Sequence, residues 1–363
     1  MSILFRYLLR EYAKIFFMCF AGLMTIYLVI DFFEKVRKFL RYDAEWLDVL
    51  TYFALKMPTI SFQITPLAIL MATLLTLGLL SRSNEITAMR SCGISLPRIT
   101  SPFMAFAIAL AAVLLQFSAT IIPLTSNLAE EIRTVQIEKK PPSAAFKLEQ
   151  PWARVDGETL LHMTSVSIEG DHLGGVQLFH FDRAFRLTDM TESREARYAD
   201  GTWTMYQGFK RKFLLDGSVV VTEFEQQPVS LTLIPSDFTG GLAGESESMT
   251  FSALRDLASR LYQNGFQVAR LMTDYYGRLA FPFVTIIMVL VGIALSLRRS
   301  GARGSSMAAG IGQAMLIGFL YWATHSIAIA FGRGGALPPI VAGWLTNVLF
   351  LSYGLYLMLK VRY

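Results

Sequence analysis

Lys35, Arg37, Lys38 and Arg41 fall within one short stretch, directly after a long apolar run and beside Phe32, Phe33 and Phe39. Ammonium and guanidinium groups at the rim of an apolar segment suit an amphiphile that joins a phosphate headgroup to acyl chains. The same cations would also rest against anionic lipid without specificity, at about 1 kcal/mol each. The residues alone leave these two readings level. A second stretch, Ser81-Arg-Ser-Asn-Glu-Ile-Thr-Ala-Met-Arg-Ser-Cys-Gly-Ile-Ser95, is a polar interruption between apolar runs. Ser83 can cap a helix there, Glu85 sits in its first turn and Gly93 can close it. Glu85, Met89 and Gly93 follow at intervals of four, and Ile86 lies three before Met89, so one face carries an acid beside apolar groups. Such a helix is either a peg that docks a partner, with Asn84, Glu85, Met89 and Arg90 as its contacts, or an ordinary interfacial turn.

No catalytic motif accompanies them. GxxxxGK[ST], HExxH and GxSxG are absent, so this chain has no P-loop of its own. His162, His172 and His180 fall in strand-like sequence and read as surface imidazoles, not as a metal set. His325 lies inside an apolar run beside Thr324 and Ser326, where a neutral imidazole bonded between helices is the plain reading. Asp31 is expected to pair with a nearby Lys or Arg, and Asp274 with Arg278 four residues on. Cys19 and Cys92 are the only cysteines and lie in or beside apolar runs, which offers no disulfide framework and no CxxC site. Neither a metal nor a bound cofactor is expected.

The elements that must position these residues are mostly membrane spans. The 363 residues are 53% hydrophobic with 27 Phe, and only 17% are charged, the composition of an integral membrane protein. A net charge of +5 is too dilute for a nucleic-acid reader. Spans are expected at about 15–33, 58–80, 100–123, 275–297, 306–331 and 338–359, each near the roughly 20 residues a bilayer needs. The first follows Arg6, Arg10 and Lys14 and is too long for a signal-peptide core, so it reads as a retained span. Pro66 and Pro282 fall inside spans, where kinks are tolerated. Arg6, Arg10, Lys14, Arg82, Arg90, Arg98, Arg298, Arg299, Arg303, Lys360 and Arg362 share one side and mark it as cytoplasmic, with both termini. The cations at 35–41, with Lys56 and Arg333, lie on the other side against that trend.

Between spans 3 and 4 an outer insert runs from about 125 to 267, with an all-β core at about 143–235. Asp156-Gly157, Gly174-Gly175, Asp200-Gly201 and Asp216-Gly217 are turn signals. Strands are expected at Leu160–Ile168, Val176–Asp182, Trp203–Tyr206, Phe213–Leu215, Val219–Phe224 and Val229–Ile234, a pattern of a sandwich or jellyroll. After a Gly-rich link, Thr239–Gly244, the residues Leu254, Leu257, Ala258 and Leu261 space an amphipathic helix. The expected organisation is therefore 1–124 with three spans and the 81–95 helix, 125–267 outside, and 268–363 with three more spans.

Several stretches carry a family resemblance. Arg6-Tyr-Leu-Leu-Arg-Glu-Tyr12, Asp31-Phe-Phe-Glu-Lys-Val-Arg-Lys38, Leu77-Gly78 with Asn84-Glu-Ile-Thr-Ala-Met-Arg-Ser-Cys-Gly93, Gly277-Arg-Leu-Ala-Phe-Pro282 and Pro338-Pro339 resemble the LptF/LptG permease family of lipopolysaccharide exporters. The run from Glu85 to Gly93 is the most specific of these, and the similarity extends over the whole chain. Gly174-Gly-Val-Gln-Leu-Phe179 and the C-terminal prolines look more like the LptG half. The resemblance implies a polytopic α-helical membrane protein of six spans with an inserted all-β periplasmic jellyroll-like domain. It implies a bacterial inner-membrane subunit of an ABC exporter that takes lipopolysaccharide from the outer leaflet toward the outer membrane. The 81–95 segment would be the coupling helix. It would seat in an LptB-like cytoplasmic ATPase dimer that uses the ATP, with Glu85 as the acidic contact. Arg37 and Lys38, with Lys35 and Arg41 around them, and Arg133 just after span 3, would meet lipopolysaccharide phosphates. An LptF-like second permease and an LptC-like single-span periplasmic protein would be further partners. The chain departs from the family pattern at Asp31, where some members have Lys. Two rival functions, a membrane-anchored periplasmic lipid-modifying enzyme and an assembly protein without a transport cycle, would need a clustered active site or no coupling helix.

Overall fold

The computed structural model describes residues 3–42, 45–137, 146–147, 152–155, 158–167, 170–182, 184–199, 201–214, 217–231, 235, 249–263, 268–299 and 307–360. Asp156-Gly157, the link Thr239–Gly244, Ile168, Leu215, Asp200, Asp216, Arg303 and Arg362 lie outside the described residues. The chain divides into two compact units, Met1–Ile137 with Thr273–Tyr363, and Glu138–Met272.

The first unit is helical. In chain order it contains α1 (Ile3–Arg41), α2 (Trp46–Arg82), α3 (Glu85–Ser91), α4 (Leu96–Gln116) and α5 (Ile122–Glu131). Six stretches are long and apolar enough to cross a membrane: Ile3–Phe39, Trp46–Arg82, Leu96–Glu131, Ala269–Leu297, Gly310–Arg333 and Pro339–Leu359. The early ones outrun their apolar middles. α1 has 39 residues and α2 has 37, on the order of 55 Å each at ~1.5 Å per residue, against a hydrocarbon core of about 30 Å. The polar flanks stay helical, so Lys35, Arg37, Lys38 and Arg41 ride on α1 itself and do not lie in a loop beyond it. A core between the helices fixes the bundle. Tyr12 is fully buried, its hydroxyl 2.9 Å from Thr73 Oγ1 and its ring against Phe103 and Phe106.

A π-helical turn at Phe117–Ile121 followed by α5 carries the third span past its expected end at 123, and a second π turn follows at Ile132–Ile137. The fourth span starts as α7 (Ala269–Ala280) and breaks into a 3-10 turn at Phe281–Phe283 before α8 (Val284–Arg299). Pro282 causes that break by removing a backbone donor, and Thr285 Oγ1 donates to the Pro282 carbonyl at 2.8 Å. Pro66 is absorbed inside α2. α9 (Met307–Arg333) and α10 (Pro339–Leu359) complete the unit. Asn347 on α10 donates to the Ala280 carbonyl at 2.7 Å and accepts from the Tyr321 hydroxyl at 2.8 Å.

The second unit is an antiparallel β insert followed by α6 (Phe251–Gln263). Its strands are β1 (Phe146–Lys147), β2 (Trp152–Arg154), β3 (Thr159–His162), β4 (Ser165–Val166), β5 (His172–Phe181), β6 (Leu187–Ala199), β7 (Thr202–Phe213) and β8 (Val219–Val229). All join one hydrogen-bonded sheet in the order β1-β4-β5-β6-β7-β8, with β2 and β3 also reached through β5. Leu161, Met163, Val166, Leu173, Val176, Trp203 and Met205 form its core.

Several expected strand limits shift. The stretch at 160–168 breaks at Met163 and Thr164, while 203–206 and Phe213 belong to one longer strand. Gly174-Gly175 is not a turn. Both residues lie within β5, where Gly175 has φ +61 and a Cβ at either would collide with Thr164 or Ser165. The glycines leave room for the Thr164 and Ser165 side chains. Gly201 and Gly217 do sit in turns, at φ +81 and +86. On α6 the expected apolar set, Leu254, Leu257, Ala258 and Leu261, is buried together.

Candidate functional site

Helical spacing divides the four cations of α1. Leu28, Phe32 and Phe39 pack with Val49, Tyr52 and Phe53 of α2 in one apolar cluster, and the 28-32-35-39 spacing puts Lys35 in that inward stripe. Lys35 Nζ donates to Asp31 Oδ1 at 2.6 Å, and Lys56 Nζ approaches the same oxygen at 4.0 Å. The expected pairing of Asp31 is thus met twice, once within α1 and once from α2. Both ammonium groups also lie over the Tyr52 ring, at 5.5 and 5.6 Å from its centre. Arg37, Lys38 and Arg41 occupy the other faces of the helix and are exposed. Arg133 is in the π turn after α5 and is bonded to Glu130 by an i,i+3 ion pair. Its neighbours Ala129, Ile132 and Ile137 enter the same apolar cluster as Phe39 and Tyr52. The structure therefore brings the C-terminal end of α1, the start of α2 and the Arg133 segment to one place. Lys56 and Tyr52 are the residues that sequence reasoning passed over. Lys56 entered only as a count of charge, yet it lies four residues from Tyr52, as Asp31 lies four from Lys35.

The 81–95 segment forms α3, a helix of seven residues. Its expected N-cap is corrected by one position. Asn84 takes that place with φ +60, a left-handed conformation that Asn tolerates. Ser83 instead continues the end of α2, and its hydroxyl reaches Glu85 Oε1 at 2.8 Å. The other oxygen, Glu85 Oε2, accepts from the Tyr7 hydroxyl of α1 at 2.9 Å. Glu85 is therefore held on two sides and is not a free surface acid. Gly93 closes the helix at φ +79. Its N–H reaches the Arg90 carbonyl, and the Ile94 N–H reaches the Met89 carbonyl, the paired bonds of a Schellman end. Ile86, Met89 and Ile94 pack into the bundle core, so Met89 faces inward. Asn84, Thr87, Ala88 and Arg90 form the exposed side.

Other candidate residues make contacts between elements. Asp274 and Arg278 each have a partner on another helix or turn. Asp274 bonds Arg333 Nε at 2.7 Å, and Arg278 donates to the Ser118 carbonyl at 2.6 Å. The π turn at Phe117–Ile121 supplies the Arg278 acceptor, because a widened turn leaves a carbonyl available for an outside donor. The histidines do not converge. His172 bonds Glu195, His180 bonds Thr159, His162 packs at a tilt against Trp152, and His325 stacks on Tyr321. Among the described residues no group of three His, Cys, Asp or Glu is placed to hold a metal ion.

Residues 6–360 match the family model described as lipopolysaccharide export system permease LptF/LptG. The chain is 23% identical over 348 residues to the lipopolysaccharide export system permease protein LptG of Haemophilus influenzae, covering 94% of this chain and 95% of that one. It is 21% identical to LptG of Escherichia coli, over 99% and 98% of the two chains. To LptF of Escherichia coli it is 23% identical, over 98% and 94%. The relatives named LptG rank ahead of those named LptF, consistent with the LptG-like features of the β insert and the C-terminal prolines.

Proposed function

This chain belongs to the LptF/LptG family of lipopolysaccharide export permeases, and from that premise we propose how its parts divide the transport cycle. The chain is a multi-pass permease subunit of the lipopolysaccharide export system. In our reading it works beside an LptF-like second permease in the bacterial inner membrane, with both termini and α3 on the cytoplasmic side. ATP hydrolysis belongs to an LptB-like ATPase dimer that receives α3. The β unit lies in the periplasm and hands lipid to an LptC-like protein. Arg37, Lys38 and Arg41, with Lys35, Lys56 and Arg133 around them, meet the anionic headgroup as lipid leaves the outer leaflet.

One observation carries the coupling role. α3 is too short to be stable alone, yet Ile86 and Met89 root it in the core while Glu85 binds Tyr7 near the start of α1. A push on its exposed face, from Asn84 to Arg90, would therefore be transmitted to α1, α2 and α4 together. Glu85→Lys in the assembled export complex should cut ATPase co-purification and lipid-coupled hydrolysis by about tenfold or more, since reversing a charge that the docked partner would cover costs several kcal/mol. Tyr7→Phe removes one bond and no charge, and should cost only about 1 kcal/mol. Full ATPase retention with normal coupled hydrolysis in the Glu85→Lys complex would remove Glu85 from coupling.

A further inference from the structure

The surroundings of Asp31 are unusual for a structural ion pair. One carboxylate faces two ammonium groups, Lys35 at 2.6 Å and Lys56 at 4.0 Å. The acid is 7% exposed, whereas the side chains of Lys35 and Lys56 are 23% and 30% exposed. Both lysines crowd Oδ1, while the buried Oδ2 has no hydrogen-bond partner. A closed structural pair would match the charges and occupy both oxygens. Here the group carries a net +1, with two part-exposed lysines on one buried acid, beside the apolar cluster of Phe32, Phe39 and Phe53. Tyr52 lies under both ammonium groups, and Lys56 also donates to its hydroxyl at 3.3 Å.

We propose that Asp31 is a built-in counter-ion that competes with lipid phosphate for Lys35 and Lys56, and so sets how readily the permease releases its cargo. The proposal rests on reading this end of α1 as the headgroup region. When phosphate arrives, Lys35 exchanges Asp31 for it, and Lys56 closes on the freed carboxylate. The retained negative charge then opposes the phosphate, which keeps binding reversible. Asp31 is thus a positioning residue that acts through the two lysines.

The test measures release of labelled lipopolysaccharide from the assembled complex in nanodiscs without ATP. A unit charge about 6 Å from a phosphate in a half-dry site shifts binding by one to two orders of magnitude. Asp31→Asn, which raises the local charge to +2, should slow release by about tenfold. Lys56→Gln, which lowers it to zero, should hasten release by a similar factor. The double variant Asp31→Asn/Lys56→Gln restores +1 and should return release close to that of the parent. A purely structural pair would instead loosen in the same direction in both single variants. Faster or unchanged release from an assembled Asp31→Asn complex overturns the proposal. If that variant fails to assemble, unchanged release from Lys56→Gln overturns it. Arg37→Glu/Lys38→Glu is the separate arm. Lost lipid there with normal release in the Asp31 and Lys56 variants removes only the counter-ion. Normal lipid binding in every variant removes the headgroup region itself.

Discussion

Glu195 on β6 takes His172 Nε2 at 2.9 Å on one oxygen and Arg197 at 2.8 Å on the other. The His172 hydrogen bond, and then Arg197, hold its carboxyl below the usual glutamate range. The sign follows directly. A depressed carboxyl contributes stability that is present above the ordinary glutamate pKa of about 4.3 and is lost as pH falls through the folded value. Hydrogen exchange across β5 and β6, corrected for intrinsic rates, should therefore accelerate between about pH 5 and about pH 3. Glu195→Gln should flatten that acceleration while changing protection near neutrality by less than about 1 kcal/mol, because the pair is partly exposed. An unchanged acid slope in the variant would show that other carboxylates control the loss. The same scale separates what spacing reveals from what it hides. The i,i+4 relation of Asp31 to Lys35 was legible. The approach of Lys56, and of Tyr7 to Glu85 from 78 positions away, was not, since nothing local encodes a contact between helices.

Among the helices, α10 and the start of the fourth span meet backbone to backbone. A Cβ on Gly343 would lie 2.8 Å from the Tyr276 carbonyl carbon and 2.9 Å from the Gly277 nitrogen, so the two backbones touch through a residue that must be small. Gly343→Ala should force the helices apart and cost about 1–3 kcal/mol, visible as a lower thermal aggregation midpoint of the detergent-solubilised protein. Gly78 in α2 is the control. A Cβ there meets nothing within 4 Å, and Gly78→Ala should be neutral or gain up to about 1 kcal/mol from helix propensity. Equal destabilisation by both would mean that Gly343 matters for something other than that contact. Elements were legible in proportion to how apolar their buried sides are. The spans could be found by hydropathy alone, but their polar flanks could not, because those turns are held by tertiary packing. The longest strand, β6, escaped notice entirely. Its inward residues are Thr191, Ser193 and Ala196, small or polar side chains without an alternating apolar signal. Pairing with β5 and β7 on both edges is what makes it a strand.

At the scale of the molecule, hydropathy and turn signals were enough to divide the chain into membrane helices and an inserted β unit. The side of the membrane each part faces rests on the distribution of Arg and Lys, and the native cysteines provide a test of it. Cys92 is exposed just beyond α3, whereas Cys19 is buried among the helices. An impermeant maleimide added to cells with a permeabilised outer membrane should therefore leave the parent chain unlabelled. Inverted inner-membrane vesicles should label it once, at Cys92, provided no ATPase covers α3. Thr202→Cys places a thiol at the exposed start of β7, and it should reverse the pattern by labelling from the periplasmic side. The two sites check each other, since a chain inserted the other way would exchange both results together. If α3 seats in the ATPase, adding that partner should protect Cys92 in the vesicles and leave Thr202→Cys unchanged. Labelling of Cys92 from the periplasmic side would invert the topology. Labelling that the ATPase does not reduce would move the docking surface away from the end of α3.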